Sequence, residues 1–429
     1  MSQGPRSPSL AVAALCLVQF IDVLGVTVVV TALPSMLSSL HASPSGSTLI
    51  ATGYAMFFGG LLMLGARLGD RYGHRRTILV SLAVLAAGGL VAATAESVFT
   101  LAAGRSLQGA AAAASVPSAL RLLTTVTADG APRRRAIAAW SAAGAAAGAS
   151  GFVVGGIVTG LASWRFIFWA YLPLAVILAA AIALSVPPGA DGSMATSLNL
   201  AGSAVFTAAV MTFIVGTTIV TQPAGRLAGG LLLVASVVLA GVFPIVDRRM
   251  AAPLFPAPLI GNRRLRQGSL GGFLNTAATS SVITLVTLYL QDTLHRTPIE
   301  AAATLLPFSL LVIAGSAGSA ALQRRWPPQR VVATGLAIIA VADAALIPAA
   351  RSPWAVPVCM AAAGLGIGLS SVAATGLGTE VGERWRGGAS GIINTAAQLG
   401  TALGTAVLLL IASLTSGLPG PGHPPPDLA

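Results

Sequence analysis

The chain contains no lysine: all 24 basic residues are arginine, set against 12 acidic residues, in a length of 429. Charged residues make up only 8% of the sequence and aromatic residues 5%. A soluble domain carries about 25% charged residues, so a water-covered globule is excluded. Cysteine occurs twice, as Cys16 and Cys359, both inside apolar runs, which leaves no disulfide frame and no cysteine metal site. The histidines, His41, His74, His295 and His423, fall in loops or tails, and there is no Walker-type phosphate loop. The clustered nucleophiles, acid–base groups and metal ligands of an enzyme are therefore missing, and ATP is not the expected driver. No cofactor is expected.

What the chain has is apolar length. Hydrophobic residues make up 55%, and the mean hydropathy is +0.85. Runs of about 20 apolar residues recur, enough to cross a hydrocarbon core roughly 30 Å thick. They do not alternate as barrel strands would, so the spans are helices, in which every backbone polar group is satisfied internally. The sequence predicts an all-α polytopic membrane protein of thirteen spans, at about 9–33, 46–66, 77–95, 98–122, 136–161, 165–187, 198–221, 228–246, 268–291, 301–322, 330–349, 354–378 and 388–413.

The net charge of +12 would suggest nucleic acid in a soluble chain, but here the arginines lie mostly in alternate loops. With the N-terminus cytoplasmic, 19 arginines fall inside, four outside, and Arg105 within a span. That split follows the positive-inside rule and makes the lipid bilayer, not a nucleic acid, the partner. Trp140, Trp164, Trp326, Trp354 and Trp385 sit near span ends, as interfacial anchors do.

Three stretches stand out. The loop after the second span reads GARLGDRYGHRR, with Asp70 between Arg67 and Arg71, and with Gly73 permitting a tight reversal. The fourth span contains GRSLQG, with Arg105, Gln108 and Gly109. The fifth reads GAAAGASGFVVGGIVTG, with glycines at 144, 148, 156 and 160 on one helical row and at 151 and 155 on a neighbouring one. Such small residues let helices approach closely.

The loop resembles the signature of the major facilitator superfamily, G-x-L-a-D-R-x-G-R-R, with Ala66 and His74 as departures. The fourth span is similar to the family's R-x-x-q-G pattern. The sixth, SWRFIFWAYLP, looks like the W-R-W-I-F-x-x-N-x-P entry of the drug:proton antiporter branch, with Tyr171 in place of Asn. The fifth resembles that branch's G-P-x-x-G-G signature through Gly151, Phe152, Gly155 and Gly156, with Gly148 one turn earlier and Phe152 where the branch has Pro. In the family that Pro is thought to bend the helix and seal it against leak. Phe152 falls within the glycine row, where it could fill the groove.

The resemblance implies two six-helix halves with two additional central helices. The corresponding divisions are 1–187 for the first half, 188–250 for a cytoplasmic linker and the central helices, 251–413 for the second half, and 414–429 for a Pro/Gly-rich tail. Five spans in the second half imply that the last helix of a fourteen-span member is missing. Asp70, Arg71, Gly73 and Arg75 would form the gating loop.

Asp22, Arg105 and Asp343 lie clearly inside spans. A mid-bilayer charge costs about 2.5–3.5 kcal/mol on insertion scales and usually faces a partner or a wet cavity. From a rise of about 1.5 Å per residue, Asp22 and Arg105 come out at similar depth. The first and fourth helices both line the cavity in the resembled family. A direct or water-bridged pair is expected, either as a static tie or as a proton switch with Asp22 as the titrating member. Gln19, three residues before Asp22, is expected to orient the carboxylate. Asp343 reads equally as a second coupling or substrate site and as a residue near the outer water boundary. Gln108, Asn275 and Asn394 read equally as cavity lining and as helix–helix ties.

The resemblance implies a monomeric, multi-pass transporter of the cell membrane that exports a small amphipathic or drug-like compound in exchange for protons. A facilitator or importer of a metabolite, or a truncated non-transporting member, are the alternatives.

Overall fold

The computed structural model describes residues 8–42, 45–128, 131–188, 199–220, 225–251, 253–349, 354–382 and 386–415. Arg6, Arg351, Arg384, Trp385, most of the loop at 188–199 and the tail from 416 onward lie outside these. The described residues form α1 (Pro8–Ser39), α2 (Ser45–Tyr72), α3 (His74–Ala93), α4 (Val98–Val126), α5 (Ala131–Leu161), α6 (Arg165–Trp169), α7 (Tyr171–Ser185), α8 (Leu200–Val220) and α9 (Arg226–Arg249). They continue as α10 (Ala257–Ile260), α11 (Arg263–Leu288), α12 (Pro298–Leu322), α13 (Pro328–Ala349), α14 (Ala355–Gly378) and α15 (Arg386–Thr415). No strand occurs among the described residues.

Each of the thirteen expected spans holds helix; the sixth is broken into α6 and α7 at Ala170, and the ninth is extended by a π turn at Tyr289–Thr293. By length and hydropathy nine of these helices are apolar enough to cross a bilayer, or ten with the bent α5. The remainder, α2, α4 and α15, carry polar residues such as Arg67, Asp70, Arg105, Gln108 and Gln398. They are also among the helices most enclosed by others: α2 packs on α4, α8 and α15. Their polarity is turned toward protein, which a hydropathy window does not register.

Helix starts are marked by side chains that satisfy free N–H groups. The Ser97 hydroxyl accepts from the Thr100 N–H at 3.2 Å, and Asn262 Oδ1 accepts from the Leu265 N–H at 3.0 Å. Thr297 and Glu300 form a capping box ahead of α12, with Pro298 in its first turn. Between α2 and α3 the chain reverses through Gly73, whose φ of 89° favours glycine.

Two sets of helices repeat the same packing. In the first, α1 lies on α5, α2 on α4, and α3 on α4; in the second, α11 lies on α15, α12 on α14, and α13 on α14. In the first set α7 also packs on α1 and α3. The α2–α4 contact is close because Pro117 cannot donate to the Ala113 carbonyl, and Gly65 of α2 lies against that carbonyl without a side chain. The sets meet where α2 packs on α15 and where α5 packs on α12. The central helices α8 and α9 pair, and α8 leans on both α2 and α15.

Candidate functional site

Asp22 is buried on α1. The Ser115 hydroxyl of α4 donates to its Oδ2 at 2.7 Å. The Tyr54 hydroxyl of α2 donates to the Asp22 backbone carbonyl at 2.7 Å. α2 and α4 thus both close on Asp22, but only Ser115 meets its carboxylate, where a hydrogen bond to the charged group is worth roughly 1.5–3 kcal/mol.

Arg105, on α4, is 1% exposed, the largest side chain buried to that degree. Its Nη1 donates to Gln108 Oε1 at 3.1 Å, and its guanidinium lies 4.6 Å from the Tyr54 ring centroid. A desolvated cation–π contact of this kind contributes about 2 kcal/mol or more. The Tyr171 hydroxyl is buried without a hydrogen-bond partner among the described residues, and Gly25 of α1 leaves room for it, since a Cβ there would come within 2.8 Å. Arg105 Nε and Gln108 Nε2 are likewise buried without partners among the described residues.

Asp22 and Arg105 therefore share one buried cluster; of the direct or water-bridged pair that their depths suggested, the direct form is not made. Tyr54 stands between them, its hydroxyl toward Asp22 and its ring toward Arg105. Gln19 departs from expectation: it faces Gly144 of α5, and its Oε1 has no partner among the described residues. Residues three apart lie about 60° apart around a helix, and α1 turns one side to α4 and the adjacent side to α5.

In the second set, Asn275 of α11 is buried, and its Nδ2 donates to Ser370 Oγ and to the Ile367 carbonyl of α14. Ser370 Oγ donates in turn to the Gly366 carbonyl at 2.7 Å. Asn275 is thus tied helix to helix. Asn394 is exposed on α15. Asp343 is half-buried on α13, and its Oδ1 has no partner among the described residues.

The expected loop is instead the last turn of α2, Gly73 and the first turn of α3: Asp70 Oδ1 lies 3.3 Å from His74 Nε2, and His74 Nδ1 lies 3.4 Å from Ser118 Oγ of α4. Gly69 gives His74 its space. Arg75 Nη2 donates to the Ala183 carbonyl of α7 at 3.0 Å, and Arg71 lies over the Tyr72 ring. Arg67 Nη2 donates to the Pro253 carbonyl at 2.7 Å, tying this loop to the segment that leads into the second set.

On α5, Gly144, Gly148, Gly151 and Gly155 face α1, whereas Gly156 and Gly160 face the first turns of α12. Phe152 does not fill the glycine groove. It projects into the second set, edge to face with Phe308 at 5.7 Å, in a cluster with Ile283, Leu305 and Met360. Beside it, Thr31 Oγ1 donates to the Phe152 carbonyl at 3.1 Å, and Gln291 Nε2 donates to the Thr31 carbonyl at 2.9 Å.

Sequence reasoning missed Tyr54, Ser115, Asn199 and Asp247. Asp247 is buried at the end of α9; its Oδ1 accepts from Asn199 Nδ2 at 2.6 Å and from the Leu254 N–H at 2.7 Å, and its Oδ2 accepts from the Phe255 N–H at 3.1 Å. Placed beside Arg248 and Arg249, it reads in sequence as an ordinary loop charge. Of the expected anchors, Trp140 and Trp164 are buried, the latter donating to Ser39 Oγ at 2.8 Å. Among the described residues, no three His, Cys, Asp or Glu side chains are placed to hold a metal.

The family model described as Major Facilitator Superfamily matches residues 15–195 and 180–405. The lincomycin resistance protein of Streptomyces lincolnensis is 33% identical, across 95% of this chain and 85% of its own. The cephamycin export protein CmcT of Amycolatopsis lactamdurans is 32% identical, across 95% and 86%. A methylenomycin A resistance protein of Bacillus subtilis is 29% identical, across 92% and 85%. The crystal structure of the human organic anion transporter MFSD10 superposes with a TM-score of 0.66 at 17% identity, over 95% of this chain and 94% of that one, which is a likeness of fold.

Proposed function

The chain belongs to the major facilitator superfamily, and from that premise we propose that it exports a small amphipathic, antibiotic-like compound in exchange for protons. It would do so as a monomer in the cell membrane, with its N-terminus cytoplasmic. α1–α7 and α11–α15 act as two rocking halves, with α8 and α9 between them. Relatives named for antibiotic resistance and export support the substrate class.

The observation that carries the coupling is the buried Asp22 carboxylate, held by the Ser115 hydroxyl and set in one cluster with Arg105. Burial favours the neutral acid and a nearby cation favours the carboxylate. A rearrangement that moves the Arg105 guanidinium or admits a cationic substrate therefore takes up or releases the Asp22 proton. The Arg105 charge is permanent, so Asp22 is the member that changes. The α5–α12 contact and the α2–α15 contact are the two seams across which the halves would rock. Gly156 meets Ala302 at the first, and Gly59 meets Gln398 at the second. Asn394 and Asp343 of the second half are assigned to the wall the substrate passes, Asn275 to the tie between α11 and α14, and the segment of Asp70, Arg71, Gly73 and Arg75 to the gate.

The test uses full-length protein in proteoliposomes with an imposed proton gradient, fluorescent-drug efflux and internal pH read together. Asp22→Asn retains facilitated movement down a drug gradient but loses gradient-driven accumulation, by at least about tenfold. Accumulation equal to wild type would remove Asp22 from the coupling.

A further inference from the structure

We infer that Tyr171 is a positioning residue of the cluster around Asp22: its hydroxyl oxygen is a second seat for the Arg105 guanidinium, nearer to Asp22 than the seat on Gln108. The inference rests on the proton-coupled reading of Asp22.

The local sequence aims this side chain into the bundle. Pro173 has no N–H for the Trp169 carbonyl, and the sixth span breaks at Ala170, immediately before Tyr171. Two glycines then make room for it. A Cβ on Gly89 of α3 would lie 3.0 Å from Tyr171 Cβ, and one on Gly25 of α1 would lie 2.8 Å from the Tyr171 hydroxyl. Glycine inside a helix costs stability relative to alanine, so the tyrosine is accommodated at both ends at some cost. The point beside Gly25 also lies 3.5 Å from Tyr54 Cε2. The hydroxyl therefore reaches the ring over which Arg105 lies.

The Tyr171 hydroxyl, Arg105 Nε and Gln108 Nε2 are all buried without partners among the described residues. A buried hydroxyl left unpaired is costly, and a phenylalanine would fill the same space without that cost. Enclosed as it is, the oxygen can be met only from within the cluster. Of the two unmatched donors, only Arg105 carries a charge that Asp22 can sense, and Tyr171 and Arg105 already interact electrostatically.

Depth orders the two seats. α1 and α4, the first and fourth spans, run in opposite senses. Gly25 lies about one turn beyond Asp22, and Gln108 about two turns beyond Ser115, which holds the Asp22 carboxylate. Arg105 sits on Gln108 in this structure. A move to Tyr171 brings the cation nearer to Asp22, and a nearer cation favours the carboxylate over the acid. The titratable or charged groups facing Asp22 are Tyr54 from α2, Arg105 from α4 and Tyr171 from α7. α5, α11 and α12, which also pack on α1, carry such groups only near their ends, and α1 itself adds only Cys16.

Infrared difference spectroscopy of full-length protein in proteoliposomes reads the carbonyl band of the protonated Asp22 acid across a pH titration, with Asp22→Asn identifying the band. Tyr171→Phe leaves Arg105 on Gln108, and Asp22 keeps its proton to an about tenfold lower proton concentration than in wild type. Gln108→Met leaves Arg105 on Tyr171 and shifts the titration the opposite way. Thermal unfolding separates this from a structural role. Tyr171→Phe melts no lower than wild type, since it removes an unmatched hydroxyl; a lower melting point makes the hydroxyl a structural tie and overturns the inference. Shifts in the same direction, or no shift in either variant, overturn it while leaving the coupling reading in place. A titration with no band that Asp22→Asn removes defeats the coupling reading itself, and the inference with it.

Discussion

Ser115 of α4 donates to the carboxylate of Asp22 on α1, whereas Ser370 of α14 accepts from the carboxamide of Asn275 on α11. The two pairs occupy matching places. Gly109 of α4 lies against the Tyr54 carbonyl of α2, just as Gly364 of α14 lies against the Phe308 carbonyl of α12. By that correspondence Tyr54 answers to Phe308, and Arg105, four residues before Gly109, answers to Met360, four before Gly364. Asp22, Arg105 and Tyr54 of the first cluster thus have the neutral or apolar counterparts Asn275, Met360 and Phe308 in the second. The same scaffold is thus used twice, once with titratable chemistry and once without. A second buried charge cluster would add its own insertion cost.

This asymmetry can be broken residue by residue by giving the first cluster the side chains of the second. Arg105→Met has the largest effect: it removes the cation and its contact with the Tyr54 ring. Gradient-driven efflux falls by more than about tenfold, since a contact of ~2 kcal/mol is lost together with the charge. Normal efflux by this variant would make the cluster a bystander. Next come the two serines, compared by thermal unfolding in detergent. Ser115→Ala loses a charge-assisted hydrogen bond and costs roughly 1.5–3 kcal/mol, against roughly 0.5–1.5 kcal/mol for Ser370→Ala. Equal losses would mean that Asp22 is no more demanding than Asn275. The smallest change is Tyr54→Phe, which copies Phe308. It removes the donor to the Asp22 carbonyl but keeps the ring under Arg105, so efflux falls by about fivefold at most, in line with one hydrogen bond of ~1 kcal/mol.

How much of this was written in the sequence depends on what each residue does. The spans were legible because lipid imposes a length and a composition on every helix. Asp22 and Arg105 were legible because a charge in an apolar run needs a reason. The partners were not. Ser115 and Tyr54 are ordinary residues until α4 and α2 are packed on α1, and the side on which Gln19 lies is decided by α5, not by its distance from Asp22. The glycines announced close packing but not that four face α1 and two face α12. Phe152, in a proline's place, was visible as a departure; its insertion beside Phe308 was not, because that contact joins residues 156 positions apart.

The Asp247 carboxylate, fixed by Asn199 and by two successive backbone N–H groups, makes the connection from α9 toward α11 a strut rather than a rope. A rope would let the two helix sets move with no mechanical memory of each other. A strut transmits torque. In the proposed rocking cycle a tilt of the second set would turn α9 with it and load the hydrogen bond by which the Thr207 hydroxyl of α8 holds the Gly60 carbonyl of α2. The inserted helix pair would then act as a damper on that motion, and loosening its grip at Thr207 would change the pace of the cycle more than its direction.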